Sequence, residues 1–403
     1  MYAAEDGAPI GALEAVHGGG VYAGAWSPDG TRIATACGDK TVRVFDVSAA
    51  AGPFALVAAF AVGTRPDDMQ QSIAWPTADT VVSTSLDGTL NVFNPSNVAA
   101  GPMRRVFGHR EPATVFDADT STGAFFSGCA GGRVCVWSPA DAARTLYNAA
   151  PASGDLPTKK IAGLVCALGV LAVVSWDDKL RFGDAASATL DAAIALGAQP
   201  KGVALVPSSG GAAVAVVATS AAIVVAVRGV AAPALTLPVS WGPTCVDVSA
   251  DGALVAVGGA DKRVHFFALS GGASAPALEE LGVGKEAAAA ISVVAIAPDG
   301  KRVAAGDAGR EIRLYDSATR DTLISGRWVA HTTRVTGLRW SPTGSAIASV
   351  STDRRLVIWD PDADGPRTVV DLAHAQPFAA VVWASETEVW TLGIDGVAVK
   401  RAV

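Results

Sequence analysis

The chain has 403 residues, of which half are hydrophobic and 17% charged, and it carries a formal net charge of −7. A protein that tracks nucleic-acid phosphates needs a basic surface, because Lys and Arg supply most of that affinity, so nucleic acid is excluded as a natural partner. The apolar content is ample for a packed core, and the 43 glycines and 22 prolines are spread along the chain, as many short strands joined by tight turns require.

From the N-terminus, Met1–Asp6 lacks the basic start and apolar core of a secretory signal. Met1–Gly7 reads as the end of an inner strand and Ile10–Ala15 as an outer strand, so the sequence opens in the middle of a repeat. Gly24-Ala25-Trp26-Ser27-Pro28-Asp29-Gly30-Thr31-Arg32-Ile33-Ala34 then predicts a hairpin, with apolar strands flanking a turn whose glycine takes a positive φ. After it, Asp39-Lys40-Thr41-Val42-Arg43-Val44-Phe45-Asp46 predicts an acidic turn residue leading into a strand with in/out alternation.

Both units recur. The hairpin returns at Ser249–Gly252, Ala297–Gly300 and Gly337–Ala348, and the acidic turn at Asp87, Asp177, Asp261 and Asp353. Between Asp39 and Asp395 lie 356 residues and eight intervals, about 44 residues each, the length of a four-stranded WD40 blade. Nine units follow: 16–58, 59–102, 103–143, 144–187, 188–229, 230–270, 271–320, 321–363 and 364–403. The fifth has lost its turn aspartate and the eighth is the best preserved. Two uncharged runs, Gly202–Val227 and Ile161–Trp176, invite a membrane reading. The first is broken by Pro207-Ser208-Ser209-Gly210-Gly211, and both are rich in valine, which predicts buried strands and no membrane span.

In the eighth unit His331, Ser349, Asp353 and Trp359 stand where WD40 blades carry a buried hydrogen-bond chain; His17, Thr35, Asp39 and Phe45 match it in the first unit with the indole replaced. A hydrolase triad is the competing reading, but no nucleophile elbow surrounds Ser349 and the pattern partly recurs in other blades. Other catalytic signals fail as well. Gly282-Val283-Gly284-Lys285 lacks the glycine spacing of a phosphate loop, and Gly18-Gly19-Gly20 leads into a strand. Cys129 and Cys135 lack a second pair at zinc-ligand spacing, and Asp177-Asp178 read as a solvated turn. No enzymatic activity and no cofactor or metal are therefore expected. The five cysteines, Cys37, Cys129, Cys135, Cys166 and Cys245, sit in apolar stretches and suit a reducing compartment.

These residues are arranged as in a known family. The run His17–Asp29 with Gly38-Asp39-Lys40-Thr41, then Gly108-His109, Gln199–Ala204, Leu254–His265, Trp328–His331, Leu338–Pro342 and Asp371–His374, resembles the actin-interacting protein 1 family of fused WD40 propellers across nearly the whole chain. The resemblance implies an all-β fold, with 103–403 as a complete seven-bladed C-terminal propeller. Residues 1–102 would be the last two blades of an otherwise missing first ring. Met103–Phe107 is expected either to complete the last blade or to leave it three-stranded. The resemblance further implies a non-enzymatic, cytoplasmic protein of the actin cytoskeleton, with actin filaments and cofilin (actin-depolymerising factor) as partners. A scaffold for another multiprotein complex is the alternative. Position within the blades, where loops reach the ring face beside the His or the turn Asp, nominates Tyr22, Arg110, Trp176, Arg334 and Thr352 as partner-binding residues.

Overall fold

The computed structural model of the chain describes residues 17–49, 54–87, 89–97, 104–106, 109, 111–119, 124–137, 144–146, 156–184, 189–206, 212–363, 365–371 and 373–403. Among these, the chain forms nine antiparallel sheets. A single turn of 3-10 helix, Pro66–Asp68, is the only helical element described. The fold is an array of WD40 propeller blades, and it divides into two compact units, Met1–Arg110 and Glu111–Val403.

The local chemistry of the hairpins explains the strands. In the first, Gly30 adopts φ +70° and its amide donates to Ser27 O, while Ser27 Oγ accepts the Arg32 amide at 2.9 Å. Gly252 and Gly344 repeat this with Ser249 and Ser341. The next turn works differently. The turn aspartate accepts an amide two residues on (Thr41 N to Asp39, Arg355 N to Asp353), and the residue between is left-handed although it is not glycine: Lys40 at φ +69° and Arg354 at φ +66°. The carboxylate replaces a backbone partner and holds the turn. In the fifth repeat Thr219 takes over, its Oγ accepting the Ala222 amide at 2.9 Å.

Strands make up the described parts of both uncharged runs. Ile161–Trp176 supplies Ile161–Ala167 and Val170–Ser175, as expected. Gly202–Val227 contributes to three strands rather than the expected two, Pro200–Val206, Val214–Thr219 and Ala222–Val227, and the expected turn at 207–211 lies outside the described residues. Among the described residues no helix is long and apolar enough to cross a membrane.

The first unit holds two four-stranded sheets. The first runs Val21–Trp26, Arg32–Cys37, Thr41–Asp46 and Ala55–Ala61; the second runs Gln70–Thr77, Thr80–Ser85, Leu90–Phe93 and Arg104–Val106. They share a core in which the Phe60 and Phe93 rings pack at 4.7 Å, tilted by 38°. Arg104–Val106 lies in the first unit and not in a second domain that starts at 103, and of the two expectations for the last blade the three-stranded one holds. Arg104–Val106 pairs with Leu90–Phe93, so it does not complete the last blade, and Phe378–Ser385, Glu388–Gly393 and Ala398–Ala402 form a sheet of three. The reason is a stagger of one strand between repeat and sheet. Thr322–Trp328, which opens the eighth repeat, likewise closes the sheet of the seventh by pairing with Ile312–Asp316.

In the second unit each of seven sheets opens with an inner strand: Ala113–Asp119, Ile161–Ala167, Pro200–Val206, Pro243–Val248, Ile291–Ile296, Val335–Trp340 and Phe378–Ser385. Each inner strand packs on the next, and Phe378–Ser385 packs on Ala113–Asp119. The return contact carries a hydrogen bond from the Ala113 amide to Ile394 O (2.8 Å) and an apolar cluster with Phe116, Phe125, Val382 and Leu392.

One irregularity recurs in every inner strand. A bulge skips the second residue, as between Ile161 and Gly163 or Val335 and Gly337, and turns that side chain out of the ladder. Where the bulged residue carries a hydroxyl, it ties neighbouring sheets together. Thr114 Oγ donates to Ile161 O, Thr244 to Ile291 O, Ser292 to Val335 O and Thr336 to Phe378 O, at 2.7–3.0 Å. Deeper in the strands, the Asp117 carboxylate accepts the Cys166 amide and the Asp247 carboxylate the Ile296 amide. Burial pushes both carboxyls above the usual range, with the Arg339 guanidinium opposing it.

Candidate binding face

The hydrogen-bond chain of the eighth repeat is laid out by three elements. Asp353 follows Ile347–Ser351, which carries Ser349; His331 precedes Val335–Trp340; and Trp359 ends Leu356–Trp359. His331 Nδ1 lies 3.1 Å from Asp353 Oδ2 and Nε2 lies 2.8 Å from Ser349 Oγ, which also accepts the Trp359 indole N–H at 2.7 Å. An ionised carboxylate only accepts, so Nδ1 carries the proton and Nε2 accepts from the Ser349 hydroxyl. Burial holds His331 below the ordinary histidine range, against the opposing pull of Asp353. Burial pushes Asp353 up, yet the Thr332 and Arg355 amides and His331 outweigh it and hold its carboxyl below the usual range.

These bonds resemble a Ser–His–Asp arrangement only on paper. Ser349 is fully buried, and its oxygen is enclosed by an imidazole, an indole and the Val357 carbonyl of the neighbouring strand. The chain works as an internal brace joining three strands to the preceding loop. In the first unit His17 spans Asp39 (3.0 Å) and Thr35 (2.8 Å), and Phe45 meets it edge-on at 6.5 Å. Cys37 sits close enough to complete a three-ligand cluster. Both ring nitrogens are already engaged, however, so this cluster is the same brace.

The sign of the His331 shift fixes a pH effect. A histidine whose folded pKa is depressed contributes stability that is present above the unfolded value and lost as pH falls. Melting temperature should therefore decline from about pH 6.5 downward. His331→Gln should flatten that part of the profile, and a profile with unchanged slope would refute the assignment.

The nominated partner-binding residues fall at different places. Tyr22 is the bulged second residue of Val21–Trp26, 56% exposed, with its ring against Gly38. Arg110 lies outside the described residues. Trp176 sits in the turn after Val170–Ser175, 39% exposed, with Lys160 Nζ 4.7 Å and Lys201 Nζ 5.9 Å from its ring centre. Arg334 and Thr352 are exposed and joined, the Thr352 amide donating to Arg334 O, while Thr352 Oγ1 lies 2.8 Å from Thr333 Oγ1. Trp176 is thus brought together with two lysines and Arg334 with Thr352; the lysines were missed in the sequence.

Asp177 requires a correction. Its side chain is only 10% exposed and accepts from the Arg181 guanidinium at 2.8 Å, and Arg181, 1% exposed, also donates to Leu156 O. Asp177 is half of a buried ion pair, with Asp178 supplying the left-handed turn residue at φ +61°. The available signal was a cation four residues after a turn aspartate, a spacing shared by Asp39 and Arg43.

The sheets, the staggered outer strands and the braced turns define a WD40-repeat β-propeller protein. The family model described as "WD domain, G-beta repeat" matches residues 8–46, 235–267 and 324–360. The chain is 30% identical over 393 residues to actin-interacting protein 1 of Drosophila melanogaster, covering 94% of this chain and 59% of that protein. Similarity to actin-interacting protein 1 of Caenorhabditis elegans is 30% over 343 residues (83% and 53%), and to a 66 kDa stress protein of Physarum polycephalum 31% over 324 residues (79% and 50%). Within the WD40 proteins, the chain is similar to actin-interacting protein 1 along nearly its whole length. It spans between half and three-fifths of the length of these relatives.

Proposed function

We propose that this chain is a non-catalytic actin-binding protein of the cytoskeleton that promotes cofilin-dependent filament disassembly. The observation that carries the reading is the similarity, over 94% of the chain, to a protein named for its interaction with actin. Physical support comes from the braced turns. Loops held by buried hydrogen-bond chains present a broad surface that loses little conformational entropy on binding. Tyr22, Arg110, Trp176, Arg334 and Thr352 are the proposed contact residues. The seven sheets from Ala113 onward are taken as one complete ring, and the two sheets before them as blades of a second, whose half-exposed Val21 and Trp26 suit a face that further blades cover. Cys37, Cys129, Cys135 and Cys166 are buried free thiols, which suits a reducing cytoplasm.

The test is filament co-sedimentation of the full chain, with and without cofilin. The chain should pellet with filaments, and more strongly when cofilin decorates them. A folded sample that stays in the supernatant in both conditions would remove actin from the reading and leave a scaffold for another complex in its place.

A further inference from the structure

In the second unit, two positions recur at the start of every inner strand: the residue just before the strand and the bulged second residue. Among these fourteen positions in the seven sheets, only Lys160, Lys201 and Arg334 are ionisable, and all three are cations. Lys160 and Lys201 converge on the face of Trp176, where the ring's negative face holds two ammonium groups that would otherwise repel. Lys201 is further fixed by Gln199 Oε1 at 2.6 Å. Arg334 comes from the sixth sheet, with its turn pinned by the Thr352 amide.

None of the three has a carboxylate partner among the described residues. Several other surface cations are matched: Lys262 and Arg263 by Glu286, Arg355 by Asp371, and Lys400 by Glu388. In a chain of net charge −7, two unmatched lysines on a partly exposed indole, with Arg334 near enough to act on Lys160, are a local reversal of sign. The cluster is strained electrostatically, for burial, and behind it the neighbouring Arg334 and Lys201, lower the pKa of the Lys160 ammonium.

We propose that Trp176, Lys160, Lys201 and Arg334 form a docking surface for an acidic polypeptide segment. Carboxylates spaced along an extended strand would meet ammonium groups held as separate point charges, and the indole would cover an adjoining apolar side chain. The surrounding net negative charge opposes a dense polyanion, and Lys lacks the planar fork that grips a phosphate on two oxygens. The proposal rests on this end of the blades being a binding face, but not on actin being the partner.

A labelled peptide of alternating Glu, Asp and Gly, its Gln/Asn counterpart and inorganic tripolyphosphate are titrated against the full chain at low salt. The acidic peptide should bind at least about ten-fold tighter than its neutral counterpart and weaken as salt is raised. Lys160→Met with Lys201→Met should lose about ten-fold or more. Arg334→Gln, an exposed change that spares the fold, should lose roughly three-fold. Equal binding of both peptides, or acidic binding unaltered by Arg334→Gln, would overturn the proposal. Tripolyphosphate binding as tightly as the peptide would also overturn it, in favour of a small-anion site. If wild-type protein fails to pellet with filaments while cation-dependent peptide binding persists, the actin reading fails and this one stands.

Discussion

Replacing Trp359 by alanine should destabilise the chain by about 3–5 kcal/mol, the range for truncating a buried tryptophan. The indole is fully buried, stacks on Trp328 at 5.0 Å and 21°, and sits in an apolar cluster with Trp340, Leu338 and Val357. Its N–H also ends the hydrogen-bond chain through Ser349 and His331 to Asp353. Removing it opens a cavity and deprives Ser349 of a donor. Trp359→Phe separates the two effects, since it keeps most of the packing and should cost only about 1 kcal/mol for the lost hydrogen bond. The first unit already runs this exchange, with Phe45 at the equivalent place beside His17. The measurement is the midpoint of urea unfolding followed by tryptophan fluorescence. A midpoint for the alanine variant within error of wild type would contradict the packing described.

A loss of similar size, about 3–5 kcal/mol, is expected for Asp177→Ala, although no apolar contact is removed. Arg181 is buried in the strand Lys179–Asp184, and its guanidinium donates to Asp177 and to Leu156 O. Taking away the carboxylate removes a 2.8 Å charge partner from a desolvated cation. The cost therefore lies in the weakened charge compensation more than in the lost bond. The double variant Asp177→Ala with Arg181→Met distinguishes the two, because exchanging a buried pair for apolar side chains is often neutral. Recovery of most of the stability in the double variant is the expected outcome. If Asp177→Ala alone shifts stability by under about 0.5 kcal/mol, as a solvated turn residue would, the buried pair is refuted.

The sequence and the structure part company at identifiable residues. Hairpin turns, strand alternation and the 44-residue spacing were legible because each depends on residues close along the chain. The Gly30 turn closes over three residues, and the Asp39 turn over two. The His331 brace was legible for a related reason, since its members lie 10 to 22 residues apart within one repeat at fixed offsets. Asp177 was misread because an acidic pair in a turn looks solvated until the strand beside it is placed. The boundary at 103 put Arg104–Val106 with the following sheets because a repeat and a sheet are offset by one strand. Nothing in the local composition says to which neighbour an edge strand will bond.

By itself, then, the sequence determined a WD40 array, its turns and its internal braces, because hydrogen bonds within one repeat are encoded at short and constant separations. Only the tertiary structure decided which sheet takes each outer strand, that Arg181 is buried, and that Lys160, Lys201 and Trp176 share one patch. Those outcomes depend on packing that local spacing does not fix: Lys201 reaches Trp176 from the next repeat, outer strands bond to the sheet of the preceding repeat, and the strands around it bury Arg181, and no periodicity along the chain records any of these.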